Sequence, residues 1–450
     1  MTTHFEKMLY DNALLLRAYA HLWRATGAPW ARSVALDVAE FLLRDLRTPQ
    51  GAFASALDAD SPDEHGRPAE GAHYVWTPRQ LEEVLGERDG RWAAEVFGVT
   101  AEGTFEHGTS VLRLADPEAA AADPERFART RAALLAARVR RPAPERDDKV
   151  VAAWNGLAIA ALADAGVLFE RPDLVEAAVS AADVLLSVHL GAVPSGGTPG
   201  GATAGATATP PGAARAWRLV RTSRDGRPGP GEGVLEDYAD VAEGFLALYA
   251  ATSDDAWLTL AGVLLDVVLT RFSDPDSGGF HDTADDAPRL FRRPQDPTDT
   301  ATPSGWTAAA GALLSYSAYT GSQPHRDAVE RALGIVRALG ARAPRHIGWG
   351  LAVAEALLDG PREIAVVGPA EDELTGRLRR TALLGTAPGA VVAVGDPAGE
   401  PAVPLLRDRP LLQGRPAAYV CRGFTCRLPT SDPAELAAQV GAVGSVAAAE

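Results

Sequence analysis

Lysine, asparagine, methionine and cysteine are nearly absent from this chain, and each occurs only twice in 450 residues. One lysine and one asparagine, Lys7 and Asn12, lie in the segment 4–13, and the other two, Lys149 and Asn155, lie in the segment 147–157. Arginine, which is abundant here, has a planar guanidinium that cannot replace the compact ammonium of lysine at a tight site. The presence of these rare residues in the same two segments indicates that both segments have special structural or chemical roles.

Other absences exclude whole classes of protein. No apolar run reaches the roughly 18 residues that indicate a transmembrane helix, and the amino terminus lacks the basic and apolar regions of a signal peptide. The net charge of -16 is not offset by a basic stripe, which argues against a nucleic-acid partner. We therefore predict a cytoplasmic protein that binds neither membranes nor nucleic acids.

The two cysteines, Cys421 and Cys426, are too few for a disulfide framework and favour two structural thiols. Their spacing is not Cys-x-x-Cys, which leaves little support for a redox or metal role. A glycine-rich phosphate loop, a Gly-x-Ser-x-Gly elbow and a His-Glu-x-x-His motif are also missing. We therefore expect no metal and no cofactor.

A weak internal repeat organises most of the chain. Four segments share a polar or aromatic start, an apolar helix rich in small residues, a short turn and an amphipathic second helix. They are residues 10–46, 154–190, 236–272 and 303–339. Helical hairpins bury their apolar faces only against neighbouring copies. Because the first helices are richer in alanine and glycine, as a crowded inner ring requires, we predict an (α/α) toroid over an open solenoid.

The predicted toroid occupies residues 1–360 and has two insertions. Alternating apolar residues predict a β-hairpin insertion at about 53–114, and a Gly/Pro/Thr/Ala-rich stretch predicts a flexible loop at 191–214. From residue 361 onward, short apolar runs alternate with helical patterns. This change predicts a small α/β unit over residues 361–450.

In a ring of helical hairpins, the starts of the inner helices meet at one end of a central funnel. Polar and aromatic residues at these starts suit a sugar-like ligand, because rings stack on sugar faces while amides and carboxylates bind hydroxyl groups. The predicted acid/base groups are Asp11, Glu236 and Asp237. The predicted substrate-binding residues are His4, Glu6, Lys7, Tyr10, Asn12, Asp148, Lys149, Trp154, Asn155, Tyr238 and Ser304.

Plainer explanations remain open for these residues. Some would serve local structure: Asp11 and Asn12 as helix caps, Asp148 with Lys149 as a loop salt bridge, and His4 with Glu6 as a core polar pair. Glu236 and Asp237 would be first-turn acids that face a helix dipole.

The segment 4–13, His-Phe-Glu-Lys-Met-Leu-Tyr-Asp-Asn-Ala, resembles a signature of the thioredoxin-domain-containing family related to spermatogenesis-associated protein 20. Further similar segments, at 57–61, 74–77, 147–149, 153–157, 235–239 and 419–426, extend the resemblance over nearly the whole chain. The resemblance implies a toroid of the six-hairpin type, similar to glycosidases and N-acylglucosamine 2-epimerases. It implies no particular reaction.

Two parts of the family pattern are missing, namely the N-terminal thioredoxin-like domain and the hairpin that precedes the His-Phe-Glu-Lys motif. We therefore expect a mostly α chain that forms an incomplete (α/α)6 toroid. A second copy or another partner would cover the gap, unless the true start lies upstream.

Three functions are compatible with these patterns. The leading hypothesis is binding of a carbohydrate-like small molecule in the funnel, with glycosidase-like or epimerase-like acid/base chemistry as the candidate reaction. The first alternative is a non-catalytic scaffold or partner-binding protein with a vestigial funnel, which predicts funnel carboxylates paired with basic residues and no open pocket. The second alternative is thiol redox chemistry, which requires the sulfurs of Cys421 and Cys426 to be close and exposed.

Overall fold

The computed structural model describes residues 4–63, 65–192, 217–288, 291–396, 398–399 and 403–442. Its helices are α1 (Leu9–Thr26), α2 (Pro29–Phe41), α3 (Pro78–Leu85), α4 (Glu87–Phe97), α5 (Pro117–Ala122), α6 (Pro124–Arg138), α7 (Ala152–Leu168), α8 (Pro172–Val184), α9 (Leu235–Thr252), α10 (Asp255–Val267), α11 (Gly305–Thr320), α12 (Gln323–Ala332), α13 (Gly334–Leu339), α14 (Gly348–Asp359), α15 (Glu373–Leu383) and α16 (Pro433–Val440). Most of the loop predicted at 191–214 lies outside the described residues.

The strands are mostly short. They are β1 (Lys7–Met8), β2 (Ala56–Leu57), β3 (Asp60–Pro62), β4 (Pro68–Glu70), β5 (Val75–Trp76), β6 (Ser110–Val111), β7 (Arg146–Asp147), β8 (Val150–Val151), β9 (Leu190–Ala192), β10 (Trp217–Leu219), β11 (Thr222–Arg224), β12 (Arg227–Pro228), β13 (Glu363–Val367), β14 (Val391–Gly395), β15 (Ala417–Arg422) and β16 (Thr425–Cys426).

The chain divides into two compact units, and the first comprises the residues up to Met8 together with Ala56–Asp147. Antiparallel pairing joins β1, β2 and β7 into one sheet, while β3 with β4 and β5 with β6 form two-stranded ladders. Helices α3 to α6 cover a core that includes Trp76, Leu81 and Phe97. The predicted hairpin insertion is therefore part of a larger α/β unit. The domain boundary at 360 stays a prediction.

The second unit comprises Leu9–Ser55 and the chain from Asp148 onward. Its helices form successive hairpins: α1 with α2, α7 with α8, α9 with α10, and α11 with α12. The first helices pack side by side in chain order, and α14 packs on α11. The prediction of a mostly helical chain of the (α/α)6 toroid type is confirmed, and the absence of one hairpin from the ring stays a prediction.

Small residues allow the first helices to approach closely, as their composition predicts. A Cβ atom built on Gly156 of α7 would lie 2.4 Å from the carbonyl carbon of Asp240 in α9. Fourteen of the residues of α7 are buried, and Asp164 is the single charged side chain among its 17 residues. Thus α7 is a central helix of this unit, and a charge on it needs a partner.

Helix α15 and helix α16 pack on a four-stranded sheet, in the order β14-β13-β15-β16, near the carboxyl end of the chain. Strand β13 runs parallel to β14 and antiparallel to β15. The guanidinium groups of Arg379 and Arg380 donate hydrogen bonds to the carbonyls of Ala251 in α9 and Val167 in α7. They satisfy carbonyl groups that a helix end leaves without intrahelical partners.

The expectation of two free structural thiols is wrong, because Cys421 and Cys426 form a disulfide. A two-residue turn at Gly423 and Phe424 connects β15 to β16, and this register places the two cysteines directly opposite each other. Only the first of these strands was expected from the sequence, so the pairing was missed.

None of the helices in the described ranges combines the length and the apolar character needed to cross a bilayer.

Candidate functional site

The starts of the first helices come together at one end of the second unit. The rings of Tyr10 in α1 and Trp154 in α7 meet edge to face, with centroids 4.9 Å apart, and both are partly exposed. The Ala153 N–H donates to Asp237 across 3.0 Å, which joins the starts of α7 and α9. Gly305, the first residue of α11, lies against the backbone of Glu236. The predicted gathering of these helix starts is therefore present.

Arg221 holds the two acidic residues at the start of α9. Its Nη2 donates to Glu236 across 2.6 Å, and its Nη1 donates to Asp237 across 3.0 Å. Glu236 and Arg221 are partly exposed, whereas the side chain of Asp237 is fully buried. We call Tyr10, Trp154, Arg221 and Glu236 the rim residues.

The geometry of Asp237 is that of a helix cap. Its carboxylate accepts the Val234 N–H across 2.9 Å, the Ala153 N–H and the Arg221 guanidinium. Burial raises its pKa to about 6, against the lowering effect of Arg221 and of these backbone donors. Because both oxygens are occupied and solvent is excluded, the catalytic role predicted for Asp237 is replaced by a role in positioning α9 and Arg221.

Three predicted substrate-binding residues are also buried and bonded within the protein. Asn155 accepts the Phe53 N–H and donates to the carbonyls of Phe53 and Val151. The Tyr238 hydroxyl accepts the Leu219 N–H across 2.9 Å, and Ser304 caps α11 by accepting the Thr307 N–H across 3.1 Å. These contacts hold loops to helix starts, so the predictions of direct substrate contact are corrected for all three.

The remaining predicted residues of the second unit lie at or near the surface. Asp11 is exposed and Asn12 is partly exposed in the first turns of α1. Asp148 is partly exposed and Lys149 is exposed between β7 and β8. Their placement leaves the roles assigned to them as predictions.

His4, Glu6 and Lys7 belong to the first unit. His4 and Glu6 are exposed, and the Lys7 ammonium donates to the Phe5 carbonyl across 2.8 Å and lies 4.5 Å from the Tyr74 ring centroid. Burial and the nearby Arg138 guanidinium lower the pKa of Lys7 to about 8. A compact ammonium fits between the carbonyls and the ring, which agrees with the retention of lysine at this position.

An ion network that sequence reasoning missed crosses the middle of the first helices. Arg17 of α1 donates to Asp164 of α7 across 2.9 Å and to Glu243 of α9 across 2.5 Å. Burial alone would raise the pKa of Asp164, but Arg17, His21 and Arg24 hold it well below its usual range. We call Arg17, Asp164 and Glu243 the ionic floor.

On α1 and α9, the ionic floor and the rim share one face of the helix. Tyr10 and Arg17 are seven residues apart on α1, as are Glu236 and Glu243 on α9, so each pair faces the same side. At roughly 1.5 Å per residue, the two levels are about 10 Å apart along the helix axes. The signal available in the sequence was this spacing, together with the single charge in the apolar pattern of α7.

Two further titratable groups adjoin the ionic floor, namely the partly exposed His21, four residues after Arg17 on α1, and the buried Asp240, between Glu236 and Glu243 on α9. His21 lies 3.2 Å from Asp164, and burial lowers the pKa of its imidazole. Asp240 is buried, and one of its carboxylate oxygens has no hydrogen-bond partner among the described residues. Burial raises the pKa of Asp240 well above its usual range, and Glu236, Glu243 and Asp237 add to the shift. Asp240 therefore keeps its proton to a higher pH than an ordinary aspartate.

A cavity of about 90 Å³ lies where α7, α9 and α11 meet α15 and β14, and Arg24, Asp164 and Tyr319 line part of it. Ligand pockets usually measure about 300 Å³ or more, so this cavity suits a few waters and is too small for a sugar. Within the described ranges, no group of three or more histidine, cysteine, aspartate or glutamate side chains is arranged to hold a metal ion.

Comparison with protein-family models finds no match. Among solved structures, the chain is similar to cellobiose 2-epimerase from Bacillus thermoamylovorans, with 8% identity, a TM-score of 0.39 and coverage of 80% of this chain and 62% of that one. It is also similar to D-mannose isomerase, with 12% identity, a TM-score of 0.36 and coverage of 74% and 75%, respectively.

Sequence similarity to curated proteins extends over almost the whole chain. Spermatogenesis-associated protein 20 of Homo sapiens is 31% identical over 481 aligned positions, which cover 96% of this chain and 57% of the human protein. The mouse protein of the same name is 30% identical, with the same coverage. The chain therefore spans a little over half the length of the curated relatives it matches, and it is similar to spermatogenesis-associated protein 20 over that span.

Proposed function

We propose that this chain binds a carbohydrate-like small molecule at the rim residues Tyr10, Trp154, Arg221 and Glu236. The observation that carries the proposal is the partly exposed ring pair of Tyr10 and Trp154, which meets at the starts of two adjacent first helices. Aromatic rings offer apolar faces to the C–H face of a sugar, and the Glu236–Arg221 pair beside them offers acceptors and donors to its hydroxyl groups.

The ionic floor limits the depth of a site at the rim. The ionic floor connects α1, α7 and α9 through Arg17, about 10 Å below the rim by the helical rise. A ligand at the rim would rest above this network and would remain open to solvent on the other side. This arrangement suits a terminal sugar or a sugar phosphate, whose charge Arg221 would favour.

Glu236 is the best acid/base candidate among the predicted catalytic residues. It is partly exposed, whereas Asp237 is sealed by its three donors. In a catalytic version of the proposal, Glu236 exchanges a proton with the substrate while Arg221 stabilises developing negative charge. Asp237 acts by positioning Arg221.

A second candidate function is a non-catalytic scaffold, and a specific observation favours it. Glu236 and Asp237 are paired with Arg221, while Asp164 and Glu243 are paired with Arg17. A carboxylate bonded to arginine is a weaker base than a free one, because the charge favours its ionised form. This pairing agrees with binding without turnover.

The test is a thermal-shift and calorimetric screen of the whole chain against neutral sugars and sugar phosphates, followed by product analysis with any sugar that binds. We expect at least one sugar to stabilise the protein. Trp154→Ala should weaken its binding about tenfold, since a ring contact contributes roughly 1.5 kcal/mol. Trp30→Ala, which removes an exposed ring on α2, is the matched control and should leave affinity unchanged.

The outcomes separate the two candidates. If the protein turns over a sugar, and Glu236→Gln still binds that sugar but no longer converts it, acid/base chemistry is supported. If the protein binds a sugar without converting it, the scaffold with a ligand site is supported. If no sugar stabilises the chain, or if Trp154→Ala binds as well as the unmodified protein, the rim does not bind carbohydrate.

A further inference from the structure

The disulfide of Cys421 and Cys426 lies at an accessible edge of the sheet. Strand β16 is the last strand of the order β14-β13-β15-β16, and Cys426 is partly exposed there. Cys421, on the adjacent strand β15, is only 1% exposed. An incoming reagent therefore reaches the sulfur of Cys426, and the sulfur of Cys421 faces the protein.

An arginine side chain is aimed at both sulfurs. Arg409 Nη2 lies 3.0 Å from Cys426 Sγ and 3.7 Å from Cys421 Sγ. The same guanidinium lies 5.3 Å from the Tyr419 ring centroid, and the Tyr419 hydroxyl donates to the Pro410 carbonyl across 2.6 Å. A guanidinium stabilises a thiolate much more than a neutral disulfide, so Arg409 favours the sulfur anion that forms when the bond opens.

A cavity of about 170 Å³ adjoins the disulfide, and it is lined by both cysteines, Val420, Thr425 and three arginines, Arg362, Arg422 and Arg427. Asp359 pairs with Arg362 across 2.7 Å and with Arg422 across 2.6 Å. The Arg427 side chain forms no ion pair or hydrogen bond with any residue that the structure describes. Glu363, opposite Cys421 on β13, accepts the Phe424 N–H and interacts with Arg409. Two carboxylates, Asp359 and Glu363, therefore face four guanidinium groups, those of Arg362, Arg409, Arg422 and Arg427, so the surroundings of the disulfide are positively charged.

We propose that Cys421 and Cys426 form a thiol–disulfide exchange site whose co-substrate is a small thiol that carries a carboxylate. The cavity provides the charge complement for that carboxylate beside the sulfur to be attacked, and its volume corresponds to about five or six waters at roughly 30 Å³ each. This function is independent of carbohydrate binding at the rim.

The exchange proceeds in two steps. The thiolate of the small thiol attacks Cys426 Sγ, forms a mixed disulfide and breaks the bond to Cys421, which leaves as a thiolate near Arg409. A second small thiolate attacks the small-thiol sulfur of the mixed disulfide and releases Cys426 as a thiolate. Two thiols lose one electron each, the protein disulfide gains both, and the two cysteine thiolates take protons from solvent.

The experiment measures reduction of the disulfide in the whole folded chain by three thiols of different charge. These are 3-mercaptopropionate (anionic), 2-mercaptoethanol (neutral) and cysteamine (cationic), with rates expressed per thiolate and normalised to the rate with a small neutral disulfide. We expect the anionic thiol to react at least about tenfold faster than the cationic one at low salt. This preference should largely vanish at about 1 M salt, where the Debye length is roughly 3 Å.

Variants separate the charge effect from simple exposure. Arg427→Ala should reduce the anionic preference severalfold, and Arg337→Ala, an exposed arginine on α13, is the matched control. Arg409→Ala should slow all three thiols, with partial recovery in Arg409→Lys. Cys421→Ser leaves Cys426 as a free thiol, which should attack the disulfide of 3-mercaptopropionate, release one 3-mercaptopropionate thiolate and accumulate as the mixed disulfide.

The proposal is overturned if the reduction rate does not depend on the charge of the thiol. It is also overturned if Arg427→Ala keeps the full preference for the anionic thiol, or if the disulfide is reduced only under unfolding conditions.

Discussion

Two arginine residues of the second unit each bind two carboxylates, which leaves those carboxylates less accessible to a ligand. Arg17 links α1 to α7 and α9, and Arg221 binds both acids at the start of α9. The planar guanidinium can donate to two carboxylates at once, which a lysine ammonium cannot do in one plane. The scarcity of lysine in this chain is compatible with such sites.

The ionisation of Asp240 should make the stability of the folded protein depend on pH. Its folded-state pKa is raised by burial and by neighbouring acids, so the native protein retains a proton that the unfolded chain loses near pH 4. The stability linked to this proton is present below the unfolded pKa and is lost as the pH rises through the folded pKa. Asn at this position cannot ionise and does not show this loss.

We therefore expect Asp240→Asn to equal the unmodified protein in stability near pH 4 and to exceed it at pH 8. The gain is the free energy linked to the raised pKa of Asp240, at roughly 1.4 kcal/mol for each pKa unit that separates the folded and unfolded states. Urea unfolding at both pH values measures it, with Asp276→Asn as a control at an exposed turn. A stability difference that is the same at both pH values would contradict the assignment.

Helices α7 and α9 pack closely because Gly156 of α7 has no side chain at their contact. The Asp240 carbonyl carbon and the Val241 nitrogen lie 2.4 and 2.6 Å from a Cβ atom built on Gly156. Since these neighbours are backbone atoms, a methyl group there forces the two helices apart.

Gly156→Ala should destabilise the protein by about 3 kcal/mol, as overpacking of a tight contact does. The matched control is Gly376→Ala in α15, where an added methyl group meets no atom within 4 Å. That control should stabilise the protein by up to about 1 kcal/mol through helix propensity and reduced unfolded-state entropy. Equal effects of the two substitutions in denaturant unfolding would show that the crossing is not tight.

Local sequence patterns predict the helical hairpins but not the π-helical turns that end three of the helices. The repeated hairpins were predictable, because small apolar residues at helical spacing and breaker residues in the turns are local signals. The π-helical turns Leu42–Leu46, Leu185–His189 and Val268–Phe272, which follow α2, α8 and α10, were not. Their sequences continue an ordinary helical pattern, so only packing against neighbouring elements distinguishes them.

At the scale of the second unit, α15 is connected to the carboxyl ends of two first helices. Arg379 and Arg380 donate to the Ala251 and Val167 carbonyls, which lie in the last turns of α9 and α7. A cation near the carboxyl end of a helix is favourable for the helix dipole as well as for the free carbonyls.

Replacing both Arg379 and Arg380 with alanine should cost about 3–6 kcal/mol, since each of the two hydrogen bonds from a charged group contributes roughly 1.5–3 kcal/mol. Amide hydrogen exchange should accelerate in the last turns of α7 and α9 and remain slow at their starts. Arg377→Ala, an exposed arginine on the same helix, is the control. Unchanged exchange in those turns would mean that the two arginines do not hold the helix ends.

Periodicity and composition alone predict the hairpin array, the crowding of its first helices and the strands β13, β14 and β15. They also point to the two segments that contain Lys7, Asn12, Lys149 and Asn155. These features follow from periodicity and composition, which are local. The predicted acids and aromatic residues did lie at the helix starts.

Whether a polar residue is available to a ligand follows from its contacts in three dimensions. Asn155 binds the backbone of Phe53, Arg17 pairs with Glu243, and Asp237 binds the backbone of Ala153. Each of these partners is distant in sequence, so no local pattern shows whether a polar side chain is satisfied internally. The disulfide depends likewise on strand register, which the turn between β15 and β16 sets and which the spacing of two cysteines does not reveal.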